Sequence, residues 1–120
     1  MTKANVMINV RNINNTSSIL DIEGEVNAYA EDELMNAYNE ATDNGVNIII
    51  LNFSGLEYMN SSGIGLLVTL LIRVQRRKQK LLAYGLSEHY QQIFELTRLN
   101  EAIAIYSTED EAINSTGVAA

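Results

Sequence analysis

A strand-like apolar run followed closely by a helix-like apolar run constrains this fold most. The first run, 46–53, is almost continuously apolar and rich in β-branched residues, which predicts a central strand covered on both faces. The second, 66–72, predicts a helix over about 62–78. Between them, Ser61 and Ser62 lie where the strand turns into the helix. A helix N-terminus carries free N–H groups and a partial positive charge, so this position favours a regulatory phosphate more than a catalytic group.

The remaining segments alternate between the same two kinds of element. Strands are predicted at 6–11, 18–23, 46–53, 81–84 and 102–106, and the first two form a hairpin that Gly24 ends. Helices are predicted at about 30–42, 62–78 and 88–96, and a fourth begins at Thr108 with Glu111 at the capping-box position. This order predicts an α/β domain with a mixed sheet and helices packed against it.

The chain length and the absence of certain residues limit its organisation. We expect 120 residues to form a single domain, 1–120, with its core at about 6–113 and a frayed tail at 114–120. No apolar run approaches the roughly 20 residues of a membrane span, so we expect no membrane insertion. The first five residues lack the apolar stretch of a secretory signal, and cysteine is absent. These features predict a cytoplasmic protein.

The distribution of charge is more informative than its sum. The formal net charge of −7 opposes general attraction to nucleic acid or to anionic membranes. Five of the eight basic residues nevertheless fall between residues 73 and 80: Arg73, Arg76, Arg77, Lys78 and Lys80. They are either a solvated helix end whose cations complement the helix dipole, or a patch that docks a partner. The window lacks interleaved aromatic residues, so nucleic acid is not the expected ligand.

The residues that enzymes use are scarce. His89 is the chain's single histidine and is expected at the surface, so no histidine–cysteine pair or histidine cluster can form. No base is identifiable for Ser61 or Ser62, and the glycines at 63 and 65 lack the third glycine and the lysine of phosphate-binding loops. Asp21 and Glu23 are expected to be solvated. The sequence predicts neither an enzyme nor a cofactor or metal site.

Two features of the predicted second helix suggest a contact surface. Asn60 or Ser61 can cap the helix, but Gly63 and Gly65 each cost roughly 1 kcal/mol relative to alanine. That cost suggests close approach by a neighbouring strand or by a partner.

The leucines of this helix fall on two stripes. Ile64, Leu67, Val68 and Leu71 are predicted to face the core. A second stripe contains Leu66, Leu70, Arg73 and Arg77. Either another helix covers these leucines, or they form a docking surface beside Ser61 whose basic end prefers an acidic partner.

The segment 49–67 resembles the STAS domain, and specifically the bacterial anti-sigma factor antagonists. Its match to the family pattern centres on Met59-Asn60-Ser61-Ser62-Gly63-Ile64-Gly65, and the resemblance extends over about 6–113. It implies a STAS fold with about five strands, mostly parallel, and about four helices. It also implies that Ser61, or as second choice Ser62, is phosphorylated by an anti-sigma factor with serine kinase activity. The unphosphorylated chain would bind that factor, and a PP2C-type phosphatase would restore binding.

The resemblance also indicates a partner-binding set and two departures from the family pattern. The set is Asn60, Ser61, Ser62, Gly63, Ile64, Gly65, Leu66, Leu70 and Arg73. Asn60 stands where the family usually has aspartate, and no glycine separates the second helix from the next strand. The alternative is therefore a non-phosphorylated STAS adaptor or scaffold in a signalling assembly or a transporter complex. The sigma factor, the kinase, the signal and the oligomeric state are not encoded in any motif we identify.

Overall fold

The sheet and its helices follow the predicted order. In the computed structural model, which describes residues 5–117, the strands are Val6–Asn12 (β1), Ser17–Val26 (β2), Ile48–Met59 (β3), Lys80–Tyr84 (β4) and Ala104–Tyr106 (β5). The helices in that range are Glu31–Ala41 (α1), Ser61–Arg76 (α2), Glu88–Leu96 (α3) and Glu109–Ser115 (α4). The strands pair in the order β1-β2-β3-β4-β5, and only β1 runs antiparallel within the described residues. The predicted α/β class, with a mostly parallel mixed sheet, is confirmed.

Helices cover both faces of the sheet. On one face α1, α2 and α3 pack on alternate residues of β2 and β3, such as Leu20 and Leu51. On the other face, Ala112 and Ile113 of α4 pack on a cluster that includes Ile50. The two faces together bury β3 from Ile48 to Leu51, which explains why this strand is apolar at consecutive positions.

β2 and β3 are longer than predicted, because Gly24 does not end β2. Gly24 stays in the strand with φ of 95°, and the register shifts on either side of it absorb the irregularity. Pairing between the two strands therefore continues as far as Val26 and Met59. β4 stops opposite Asn52, so the end of β3 projects beyond it and carries residue 60 to a tip of the sheet.

The last helix confirms the predicted cap at Thr108. The Thr108 hydroxyl accepts a hydrogen bond from the Glu111 N–H at 3.2 Å, as expected for the cap. The Glu111 carboxylate reaches back to the Ser107 N–H at 2.9 Å. Asn114 and Ser115 are the last two residues of α4, so the helix extends into the first positions of the predicted tail. Residues 118–120 of that predicted tail lie outside the described residues.

Candidate functional site

Asn60 joins β3 to α2 and caps the helix. Its N–H donates to the Val26 carbonyl at 3.3 Å, which ties it to the last residue of β2. Its side-chain oxygen accepts a hydrogen bond from the Gly63 N–H at 3.0 Å. The sequence did not distinguish between Asn60 and Ser61 as the N-cap of α2. In the structure, Asn60 is the N-cap. Asparagine and aspartate are equally good N-caps. Asparagine at residue 60, where the family usually has aspartate, therefore preserves the capping geometry.

Capping by Asn60 leaves both serines available. Ser61 and Ser62 are the first two residues of α2, and both are exposed. Neither hydroxyl makes a hydrogen bond to any residue between 5 and 117. Ser61 therefore presents a solvent-facing hydroxyl at the start of a 16-residue helix.

The first turn of α2 also lacks the acidic residues that the other helices carry. Among the described helices, α1 begins with Glu31, Asp32 and Glu33, α3 has Glu88, and α4 has three acidic residues in its first turn. The first turn of α2 contains none. Negative charge near a helix N-terminus is typically worth 0.3–1 kcal/mol at an exposed site. A phosphate on Ser61 would supply this missing charge.

The two glycines of α2 face different surroundings. A Cβ on Gly63 would overlap the Val26 carbonyl oxygen and lie 2.7 Å from Met59 Cγ. The close approach inferred from Gly63 is therefore to the neighbouring strand. Gly65 is exposed, and no atom lies within 4 Å of the place its Cβ would take, other than its own helix backbone and its chain neighbours. The space beside Gly65 on the helix surface is therefore open.

The core-facing side of α2 differs from the prediction. Leu66 and Leu70 are 9% and 0% exposed and belong to the main core cluster, so they cannot form the exposed docking surface considered for them. Val68, expected in the core, is 39% exposed. The reason is that α2 packs closely through Gly63, which turns Leu66, Leu67, Leu70 and Val74 inward. Ile64 and Leu71 are partly buried at the edge of this contact.

The resulting outer face of α2 forms a continuous exposed stripe. Its members follow at helical spacing and are all exposed: Ser61, Gly65, Val68, Ile72 and Arg76. Arg73, predicted to bind the partner, is also exposed, but it lies three turns from Ser61. The structure thus brings Asn60 to Gly65 together and separates Arg73 from them.

A groove beside Ser61 was not anticipated from the sequence. It has a volume of about 460 Å³ and lies between the end of β3, the start of α2 and one face of α3. On this side it is lined by His89 and Ile93 of α3 and by Thr97, which follows the helix; their i, i+4, i+8 spacing places them on the same side. His89 is exposed, as expected, and stacks edge-on with Tyr90 at a centroid distance of 4.9 Å. No local signal in the sequence places α3 next to Ser61.

Tyr90 fixes α3 to the tip of β3. Its hydroxyl accepts a hydrogen bond from the Met59 N–H at 2.8 Å, and both residues are buried. This contact holds the residue that precedes Asn60, so it positions the whole turn. Tyr90 is a positioning residue that the sequence analysis missed.

A polar network crosses the other face of the sheet. Arg11 binds Asp21 at 2.6 and 2.8 Å and Glu109 of α4 at 2.7 Å, and Tyr84 also donates to Glu109 at 2.8 Å. Asn52 donates to Asp21 at 2.7 Å. The expectation that Asp21 is simply solvated is therefore wrong, whereas Glu23 is exposed. Pairing along the sheet, which the sequence does not reveal, brings these groups together.

The network shifts the pKa values of its carboxylates. Burial of Asp21 opposes its ionisation, but the hydrogen bonds from Arg11 and Asn52 outweigh this effect and lower its pKa. Hydrogen bonds from Arg11 and then Tyr84 lower the pKa of Glu109. Burial, reinforced by the bond to Glu109, raises the pKa of Tyr84. At neutral pH Asp21 and Glu109 are therefore charged and Tyr84 is neutral, and the bonds to Glu109 tie α4 to the sheet.

Neither a metal cluster nor a membrane span is found in the described part of the chain. Residues 5–117 contain no group of three or more histidine, cysteine, aspartate or glutamate side chains arranged to hold a metal ion. No helix in that range combines the length and the apolar character needed to cross a bilayer.

Comparison with known proteins identifies the family. Residues 7–112 match the STAS domain. The anti-sigma-B factor antagonist of Listeria monocytogenes is 24% identical over 107 residues, which are 89% of this chain and 94% of that protein. The anti-sigma factor antagonist SpoIIAA in its unphosphorylated form has a TM-score of 0.75 at 22% identity, over 95% of this chain and 100% of SpoIIAA.

SpoIIAA of Bacillus has also been solved in its phosphorylated form. That structure has a TM-score of 0.71 at 22% identity, and covers 92% of this chain and 99% of its own. At this identity the two structural matches establish the shared fold. The match to the family covers most of the 120 residues and includes both β3 and α2. The chain belongs to the STAS domain family.

Proposed function

We propose that this chain is an anti-sigma factor antagonist that switches partners through phosphorylation of Ser61. It binds an anti-sigma factor with serine kinase activity while Ser61 is unmodified, and phosphorylation by that kinase releases it. A PP2C-type phosphatase resets the switch. The chain is thus a substrate and a binding protein, not an enzyme, and it acts in the cytoplasm.

The observation that carries the proposal is the state of the Ser61 hydroxyl. It is exposed, without a hydrogen bond to the described residues, and sits at a helix N-terminus that lacks acidic residues. Because the helix dipole favours negative charge there, a phosphate can be added without unfolding the domain. The curated relative from Listeria, named an anti-sigma-B factor antagonist, supports the same assignment.

The binding surface of the proposal is the outer side of the turn. It includes Asn60, Ser61, Ser62, Gly65 and the exposed part of Ile64, with Arg73 farther along α2; Gly63, Leu66 and Leu70 support it from within. A phosphate adds a charge of about −1.5 to −2 at its centre. Reversing a binding equilibrium from 1:99 to 99:1 requires about 5.5 kcal/mol, and a dianion forced into a desolvated contact can supply energies of this size.

The test uses the purified chain and each serine-kinase anti-sigma factor of its own source organism. With ATP and Mg²⁺, mass spectrometry should find phosphate on Ser61 in wild type, none in Ser61→Ala, and the wild-type level in the matched control Ser62→Ala. Without ATP, Ser61→Asp should lose binding in isothermal titration calorimetry while its circular dichroism spectrum stays native.

Two results would overturn the proposal. One is phosphate that persists in Ser61→Ala but disappears in Ser62→Ala, which would move the acceptor to the second serine. The other is undiminished binding by Ser61→Asp together with no phosphorylation by any of the kinases, which would favour a STAS adaptor without a switch.

A further inference from the structure

The five cations at the far end of α2, Arg73, Arg76, Arg77, Lys78 and Lys80, form a basic patch. All five are exposed. Within residues 5–117 the ion pairs are made by Arg11 and Arg98 and by none of the five. A patch of unneutralised positive charge therefore stands on a chain whose formal net charge is −7. The chain has many acidic residues, but none in the described range lies close enough to these five cations to form an ion pair.

The backbone that carries the patch is held in one conformation. The Gln79 N–H bonds the Val74 carbonyl at 2.9 Å and the Lys78 N–H bonds the Gln75 carbonyl at 3.0 Å, which is a Schellman end to α2. The Gln79 side chain accepts from the Tyr38 hydroxyl at 2.6 Å and donates to the Val46 carbonyl at 2.9 Å. The cations are thus presented from a fixed turn.

Lys78 occupies a position that favours glycine. Its φ is 58°, in the left-handed region, and the position is the C′ site of the Schellman motif, where glycine is the usual residue. A lysine there is strained, and its side chain makes no hydrogen bond or ion pair with the described residues to compensate. Strain retained without a local contact points to a role for the side chain outside the domain.

The patch continues the exposed stripe of α2. From Ser61 the stripe passes the exposed Gly65 and the exposed side chains of Val68 and Ile72, and it ends at Arg76. At 1.5 Å per residue, Ser61 and Arg76 are separated by about 22 Å along the helix. A single protein surface can cover that length, and its mixture of apolar and cationic groups is typical of protein–protein interfaces.

We propose that the basic patch docks an acidic surface of the same protein that contacts Ser61, so that the partner lies along the whole exposed stripe of α2. This inference rests on the proposed function and adds the chemistry of the partner. Cations that make no ion pair with the described residues, on an otherwise acidic chain, steer and orient an acidic protein. Nucleic acid and anionic lipid fit less well, because the net charge of −7 repels an extended polyanion.

The experiment measures association with the serine-kinase anti-sigma factor that binds the wild-type chain, by stopped-flow or surface plasmon resonance. The double variant Arg73→Gln with Arg76→Gln should associate about tenfold more slowly at low salt, with its dissociation rate within about twofold of wild type. At about 0.5 M NaCl the difference should nearly vanish, because exposed charges are then screened. Arg98→Gln, an exposed arginine outside the patch, is the matched control and should behave as wild type.

A second variant separates binding from folding. Lys78→Gly should associate more slowly than wild type and yet melt at a higher temperature, because glycine relieves the left-handed strain. Weaker binding by a more stable protein cannot come from unfolding. If both patch variants associate at the wild-type rate while Ser61→Asp fails to bind, the patch proposal is wrong and the proposed function stands. If no anti-sigma factor binds the wild-type chain, both fail.

Two further probes test the other occupants. Vesicles of phosphatidylserine and phosphatidylcholine in equal amounts, and a short DNA duplex, are each mixed with the wild-type chain and with the double variant. We expect neither to bind. Binding that the double variant abolishes would overturn the proposal in favour of a lipid or nucleic acid partner.

Discussion

At the scale of single residues, the sequence Ser-Gly-Ile-Gly uses its two glycines differently. Gly63 is buried where α2 touches the end of β2, and a side chain there would meet the Val26 carbonyl. A Cβ added at Gly65 would lie in open space on the outer face of the helix. Both glycines weaken the isolated helix, but only the first is required by packing, whereas the space beside the second is open. A sequence pattern cannot separate these roles, because both glycines lie in the first turns of the same helix.

The glycine pair provides a prediction with its own control. Gly63→Ala should lower the free energy of unfolding by about 1–3 kcal/mol, because the new methyl group forces α2 away from the sheet. Gly65→Ala should raise it by up to about 1 kcal/mol, since alanine is the better helix former and the site is open. Urea denaturation of both variants measures the difference. Equal effects of the two substitutions would contradict the assigned roles.

At the scale of elements, the site is assembled from pieces that are distant in the chain. β2 supports the tip of β3 through the bond between Asn60 and Val26, and α3 supports it through Tyr90 and Met59. The predicted helix at 88–96 agrees with α3 as observed. Its periodicity, however, says nothing about which strand end it contacts. The position of the Ser61 turn therefore depends on tertiary contacts that local patterns do not encode.

Tyr90 gives the prediction at this scale. Tyr90→Phe should cost about 1–3 kcal/mol of stability, because the buried Met59 N–H loses its acceptor. Hydrogen exchange followed by NMR should show faster exchange at the Met59 amide. Tyr29→Phe is the control, since Tyr29 is 55% exposed, and it should leave both quantities unchanged. An unchanged Met59 exchange rate in Tyr90→Phe would show that α3 does not hold the turn.

At the scale of the whole molecule, the face opposite Ser61 is closed by a short helix and a charged network. α4 has seven residues and buries two apolar side chains, Ala112 and Ile113. Glu109 adds polar contacts to Arg11 of β1 and Tyr84 of β4. These two strands lie on either side of the central strand β3. The network therefore links β1, β2, β3 and β4 to α4. It contributes to the domain's stability and lies away from the proposed binding surface.

The lowered pKa values of Asp21 and Glu109 predict that the free energy of unfolding decreases in acid. A carboxylate with a lowered pKa in the folded state stabilises the protein above its ordinary pKa, and this stabilisation is lost as the pH falls through the lowered value. Between pH 7 and about pH 3, Glu109→Gln should therefore lose less unfolding free energy than wild type. Because the Glu109 side chain is 37% exposed, the difference should stay below about 1 kcal/mol.

Urea denaturation at several pH values measures this difference. Glu101→Gln is the control, because its carboxylate lies at the surface, 4.0 Å from Arg98 and outside the network. It should lose stability in acid as wild type does. An acid dependence in Glu109→Gln identical to that of wild type would show that Glu109 does not contribute through its charge.

The sequence by itself determined the class of fold and the position of the candidate switch. A continuous apolar strand requires cover on both faces, and short-range rules place Ser61 at the start of the helix, although they left Asn60 and Ser61 open as its cap. Tertiary structure decided which side of α2 faces inward. Helical periodicity defines stripes of residues but does not indicate which stripe packs on the sheet. The close contact at Gly63 orients α2 so that Leu66 and Leu70 are buried and Val68 is exposed. It also decided the groove beside Ser61 and the Arg11 network, because both depend on pairing between residues far apart in the chain.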